Sequence, residues 1–198
     1  MSLALLADLA QILAEAFLEP DAELKEALER LLVSSPVPSI AVLLRKMVET
    51  TLAPQEQTVE YARLFLHAKD TDTVHLFESV QARGHQMAPE VLGPLLAIYD
   101  GAEISVQEDL ATPPDHLGLE LACLSYLLGQ VIEGDLAERP RSVELAQRLI
   151  GEHLRPFTQV VAGQLPEVAA QPYYQAAAEL AEALLPEVRK ALADVSSA

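Results

Sequence analysis

Thr112-Pro113-Pro114-Asp115-His116-Leu117-Gly118-Leu119-Glu120 is the stretch whose reading decides the fold. It opens a run in which Leu117, Leu119, Leu121, Ala122, Leu124, Leu127, Leu128 and Val131 put apolar side chains on most faces of a helix expected over about 113–133. A helix that is apolar all round belongs at the centre of a helical protein. The polar opening is a helix-start signal. Pro113 suits the first helical position, and Thr112 is a candidate N-cap with Asp115 reaching back to its amide. Asp115 is the other candidate N-cap, and in both arrangements its carboxylate lies at the positive end of the helix.

Outward from this centre, apolar residues recur at helical spacing. Leu5, Leu6, Leu9, Ile12, Leu13, Ala16 and Phe17 form one stripe, and Leu24, Leu28, Leu31 and Leu32 form the next. Pro20, Ser34-Ser35-Pro36 and Pro54 divide the runs where helices start and stop. Ser39 is the expected N-cap for Ile40, Leu43, Leu44, Met47 and Val48. Residues 67–87 lose the periodicity and read as a long connection, a kind of segment that often carries function. Helices are then expected over about 89–100, 142–154, 156–165 and 172–193, with Pro186 kinking the last. Strand-like alternation bounded by turns is not seen. The expectation is therefore an all-α chain, a single compact helical domain over 1–198 with about nine helices around a buried central one.

Composition narrows the classes. With 198 residues and 51% hydrophobic content the chain can bury a sizeable core. A net charge of -17, from 30 acidic and 13 basic residues, disfavours nucleic acid and anionic membrane surfaces and would attract a basic partner at a distance, while solubility by itself also accounts for it, so charge alone settles no function. Cys123 is the single cysteine, so no internal disulfide can form, which suits a reducing compartment. Asp8 and Glu15 interrupt the apolar residues 3–18, no basic region precedes them, and no cleavage site follows; an amphipathic helix of the mature protein is expected rather than a signal peptide. No apolar run approaches the roughly 20 residues that span a bilayer. A soluble, cytoplasmic protein without stable membrane insertion is expected.

Several residues are candidates for a site. Tyr61, Leu64 and Phe65 share one face of a helix at i, i+3 and i+4, a face that suits core packing or the side chain of an apolar peptide. Asp115 and His116 are neighbours on the chain and do not face each other on a helix, so they form no oriented catalytic pair. His67, His75, His85 and His116 are loosely grouped, and Asp72-Thr73-Val74-His75 has the Asp-x-x-His spacing, but a di-iron bundle needs two such motifs and two further glutamates. No metal and no cofactor is expected. Phosphate-loop, nucleophile-elbow, zincin and dinucleotide signatures are all missing from the sequence, and no catalytic residue is assigned.

In order along the chain, Glu60-Tyr61-Ala62-Arg63-Leu64-Phe65, Glu78-Ser79-Val80, Pro113-Pro114-Asp115-His116-Leu117-Gly118-Leu119-Glu120-Leu121, Glu152-His153-Leu154-Arg155-Pro156-Phe157 and Pro172-Tyr173-Tyr174 resemble the TorD/DmsD/NarJ family of molybdoenzyme maturation chaperones. The resemblance spans roughly residues 55–185. It implies a non-catalytic, all-helical chaperone. Such a chaperone binds the N-terminal, twin-arginine type signal peptide of a molybdoenzyme catalytic subunit and holds it until molybdopterin is inserted, before export. Carried over by position, the peptide-binding residues would be Tyr61, Leu64 and Phe65 as apolar contacts, Ser79 on the loop, and Asp115 with His116. The implied partner is the signal peptide and apo form of a molybdopterin oxidoreductase subunit, with the chaperone a monomer or domain-swapped dimer. The alternatives are a NarJ-like chaperone for a non-exported enzyme and, from a different class, a weak nucleotide hydrolase. One departure stands out. Where the family commonly carries a proline-rich aromatic stretch before the loop serine, this chain has Val74-His75-Leu76-Phe77-Glu78, and it has no tryptophan.

Overall fold

Helices α1 (Leu3–Leu18), α2 (Leu24–Ser34), α3 (Pro38–Thr50) and α4 (Pro54–Tyr61) come first in the computed structural model, α4 running into a π-helical turn, Ala62–Leu66. Then follow α5 (Glu78–Arg83), α6 (Pro89–Gly101), α7 (Leu117–Glu133) and α8 (Arg139–Arg148). A second π turn, Leu149–Leu154, leads into α9 (Arg155–Val168), and α10 (Pro172–Ser196) closes the order. The structure describes residues 1–18, 24–35, 37–66, 73–105 and 112–196. Among these the fold is all-α, with an isolated antiparallel bridge between Phe77 and His116 and no strand.

The central helix is α7, as its apolar sequence requires. Leu117, Leu121, Leu124, Leu127 and Leu128 are fully buried, whereas Tyr126 and Ile132 face outward towards its C-terminal half. Its main neighbour is α1, whose stripe Leu6, Leu9, Leu13 and Phe17 is fully buried. Gly118 sets how closely the two helices approach. A Cβ there would lie 2.5 Å from Cγ of Leu18 and 2.9 Å from the carbonyl oxygen of Ala14. Farther along, the Ser125 hydroxyl donates to the Ala7 carbonyl at 2.9 Å. α10 packs on α3 and α9, and one hydrophobic cluster includes residues from every helix except α5.

Several boundaries differ from expectation, each for a local reason. α7 begins at Leu117 rather than Pro113, because Pro113 to His116 form a turn closed by the His116 N–H on the Pro113 carbonyl. The N-cap is therefore neither Thr112 nor Asp115 but His116, whose Nδ1 accepts the Gly118 N–H at 3.1 Å. α3 starts one residue before Ser39, with Val37 at the cap and Pro38 at the first position, where its missing N–H costs nothing. The connection over 67–87 contains α5, a helix too short for its periodicity to show in the sequence. Before it, Val74 and Leu76 are buried while Thr73, His75 and Phe77 are half-buried, an alternation over five residues.

The expected helices over 142–154 and 156–165 are one helical run. Pro156 cannot donate to residue 152 and its ring crowds that carbonyl, and the π turn immediately before it widens the spiral at that point. α10 continues through Pro186 as a single helix. Pro20, His67 and Asp72 lie outside the described residues. No described helix is long and apolar enough to cross a membrane.

The contact at Gly118 makes a direct test. Gly118→Ala should lower stability by about 1–3 kcal/mol, since the backbone of α1 must yield. Gly163→Ala, on an exposed position of α9 with nothing within 4 Å, should instead raise it by up to about 1 kcal/mol. Urea denaturation of both variants measures the contrast.

Candidate functional site

The Glu60 to Phe65 segment is bound up in the helical scaffold. Glu60 accepts two hydrogen bonds from Arg63, at 2.8 and 2.9 Å, and Arg63 also donates to the Val168 carbonyl at 2.9 Å, which ties α4 to the end of α9. The Tyr61 hydroxyl donates to the Phe17 carbonyl at 2.8 Å. Phe65 stands edge-on to Phe17, Tyr61 and Tyr174, with ring centroids 6.3, 5.2 and 5.1 Å away, in the edge-to-face geometry that aromatic quadrupoles favour. Leu64 is fully buried, and its carbonyl accepts the Val74 N–H at 2.9 Å, which is where the 73–77 segment begins its run along the core.

That segment delivers α5 to the start of α7. The Leu117 N–H donates to the Leu76 carbonyl, and the Glu78 N–H donates to the Asp115 carbonyl, both at 2.9 Å. Oδ2 of Asp115 then accepts the Ser79 N–H at 2.9 Å. Asp115 thus caps α5, not its own helix, satisfying amides that the first turn leaves without partners. The Ser79 hydroxyl accepts the Met87 N–H at 3.1 Å, where Met87 takes a positive φ of 60°, and this bond folds the chain back after α5. Phe77 stacks edge-on against His116, with centroids 5.2 Å apart.

Behind this junction lies a polar centre in an apolar core. Nδ1 of His153, in the π turn before α9, is 2.8 Å from Oε2 of Glu78. Tyr99 on α6 donates to the Pro114 carbonyl at 2.8 Å. Glu120, in the first turn of α7, is fully buried, and neither of its carboxyl oxygens has a hydrogen-bond partner. Oδ1 of Asp115 and Nε2 of His153 are likewise buried and unpartnered. The Lys and Arg ion pairs among the described residues are Lys46–Glu179, Arg63–Glu60 and Arg148–Glu152, so none neutralises this centre.

Burial drives the electrostatics. Desolvation, reinforced by the charges of Glu78 and Asp115, holds the Glu120 carboxyl well above the ordinary carboxylate range. Burial likewise pushes the Cys123 thiol up to about 12, with Glu120 adding to it, and raises the Tyr99 phenol. His116 goes the other way: burial lowers it to about 4, against a smaller opposing effect of Asp115. A neutral ring that accepts at Nδ1 carries its proton on Nε2, so protonation of His116 would remove the acceptor that caps α7.

The family model described as "Nitrate reductase delta subunit" matches residues 14–162, well over half of the chain. The chain belongs to this family. It is the TorD/DmsD/NarJ group of molybdoenzyme assembly chaperones, so the resemblance read from the ordered motifs is sound. No curated protein matches the chain. The family is one of chaperones.

Within this family's fold the six residues singled out from the sequence fall into two neighbourhoods. Tyr61, Leu64 and Phe65 lie with Phe17 and Tyr174 in the aromatic cluster, while Ser79, Asp115 and His116 meet at the junction of α5 and α7. The bond from Val74 to Leu64 and the bond from Leu117 to Leu76 link the two. All six are buried, with Tyr61, at 8%, the most exposed. Ser79 is the second residue of α5 and not a loop residue. Sequence reasoning left out Glu120, Glu78, His153 and Tyr99. Glu120 had a signal, an acidic residue among leucines in a helix expected to be buried on all sides. Among the described residues, no group of three His, Cys, Asp or Glu side chains has the geometry to hold a metal ion.

Two outcomes follow. Asp115→Ala removes the cap of α5 and should cost about 1–2 kcal/mol, whereas Asp115→Asn keeps a side-chain oxygen for the Ser79 N–H and should cost less; thermal denaturation compares them. For Glu120 the folded carboxyl binds its proton more tightly than the unfolded one. Its contribution is fully present below about 4.5 and is lost as pH rises towards the raised folded value. Glu120→Gln should therefore gain stability relative to wild type as pH rises from 4.5 to neutrality. His116 has the opposite sign, its contribution being lost as pH falls from about 6.5 to about 4. Denaturant unfolding across that range resolves both.

Proposed function

We propose that this chaperone binds the N-terminal, twin-arginine type signal peptide of a molybdopterin oxidoreductase catalytic subunit in the cytoplasm and holds the apo subunit until its cofactor is inserted. The observation that carries the reading is the buried carboxyl centre, paired with no lysine or arginine among the described residues, in which Asp115 Oδ1 and both oxygens of Glu120 have no partner. Paired arginines supply the planar, multidentate donors that such oxygens lack. The net charge of -17 draws a basic peptide in from a distance. In this reading Tyr61, Leu64 and Phe65 receive the apolar part of the leader, and Ser79, Asp115 and His116 border its cationic part.

These residues are buried, so binding requires the 73–79 segment to part from α7. That movement breaks the Leu117–Leu76, Glu78–Asp115 and Ser79–Asp115 hydrogen bonds. At about 0.5–1.5 kcal/mol each, the apparent affinity falls by the fraction of molecules that are open.

A second reading is favoured by the matching family itself, whose description is that of a nitrate reductase subunit. A client that is not exported would present an N-terminus without the arginine pair. Isothermal titration with synthetic N-terminal peptides of the molybdoenzyme subunits from the same genome tests both. The leader should bind, more weakly as salt is raised, and Asp115→Asn should weaken it about tenfold, ~1.4 kcal/mol. Equal binding after the arginines are changed to glutamine would favour the non-exported client. Failure of every such peptide to bind would overturn the proposal.

A further inference from the structure

Glu120 is completely buried, both its oxygens are unpartnered, and its surroundings are acidic. The titratable groups around this centre come from several elements. Glu78 is on α5, Asp115 and His116 are in the turn before α7, Tyr99 is on α6, Cys123 lies one turn along α7, and His153 reaches Glu78 from the π turn before α9. Among the described residues no lysine or arginine pairs with any of them. A third buried carboxylate beside Glu78 and Asp115, with no described lysine or arginine paired to it, is the costliest state this centre can take. Two states avoid that cost: a carboxyl that keeps its proton, and a carboxylate that faces a cation.

We infer that Glu120 is a proton-exchanging receptor for a client arginine: the closed site holds Glu120 as the neutral acid, and entry of a guanidinium displaces its proton to solvent. The inference rests on the peptide-binding reading above and deepens it by naming the group that responds to the cation. The charge balances, since one proton leaves as one guanidinium arrives and the net charge of the centre is unchanged. The carboxylate so formed has the two acceptor oxygens that a guanidinium fork requires, whereas the neutral acid has one poor acceptor and one donor. Raised protonation of the free site supports the same direction. Client binding should then be linked to pH, and the affinity should rise by up to about tenfold per pH unit wherever the free site is protonated and the occupied one is not.

The test is titration calorimetry of the full chain with the arginine-containing leader peptide, run at one pH in two buffers of different ionisation enthalpy. Wild type should release close to one proton per peptide bound. Glu120→Gln, which has the shape of the neutral acid and should fold at least as stably, should bind more weakly and release none. The same peptide with both arginines changed to glutamine should also release none. Peptide binding without proton release in wild type, or equal release by Glu120→Gln, would overturn the inference and leave the peptide-binding reading standing. Absence of binding by any leader would overturn both.

Discussion

The Asp115 carboxylate, held against the first turn of α5, is the constraint on which the α5–α7 junction and the polar centre behind it depend. Its backbone carbonyl takes the Glu78 N–H and its side chain takes the Ser79 N–H. A six-residue helix has too little intrinsic stability to form alone, because the cost of nucleation is spread over few hydrogen bonds. With α5 anchored there, Glu78 points inward to His153, the Ser79 hydroxyl fixes the return of the chain at Met87, and Phe77 covers His116. Without that anchor the polar centre would have no wall on this side.

The same constraint makes the centre a place of conflict between local rules. A native core satisfies its buried polar groups or leaves them out, since an unpartnered carboxyl costs several kcal/mol of desolvation when charged. Here Glu120, Asp115 and His153 each keep an unpartnered atom in the interior. Exceptions of this sort tend to mark function, where a fold gives up some stability for a group it needs. The aromatic neighbourhood has exceptions of its own, the buried hydroxyls of Tyr173 and Tyr174, which have no hydrogen-bond partner, but its other polar groups are satisfied. Tyr61 has its hydrogen bond to Phe17, Arg63 is spent on Glu60 and Val168, and Phe65 fills a space between rings. The Glu60 to Phe65 motif is thereby accounted for as architecture, whatever else its residues do.

Much of the scaffold was legible because helical periodicity is a property of sequence alone. The stripes of α1 and α7, the stop at Gly101 and the proline-opened starts of α4 and α6 coincide closely with the structure. What could not be read depends on contacts distant in sequence. The Thr112 to Asp115 segment has the composition of a self-capping helix start, yet the Asp115 side chain turns to an amide 36 residues away. A one-chain pattern cannot distinguish the two, since the capping chemistry is identical and only the tertiary address differs. α5 was hidden for a related reason: its buried residues are Glu78 and Ser79, polar groups whose burial is explained only by His153 and Asp115.

His153 shows how such long-range terms arise from a short-range cause. Pro156 denies the helix a donor three residues later, and the π turn Leu149–Leu154 is the local answer. An extra residue per turn rotates the side chains before it relative to those after, so the face presented by α8 is not continued by α9. His153 sits in that offset turn and meets Glu78 across 75 residues of sequence. A straight α-helix through the same span would keep both faces in phase and would present a different residue to α5. The proline in Glu152-His153-Leu154-Arg155-Pro156-Phe157 therefore acts on the polar centre without entering it, by setting the rotation of the histidine that holds Glu78.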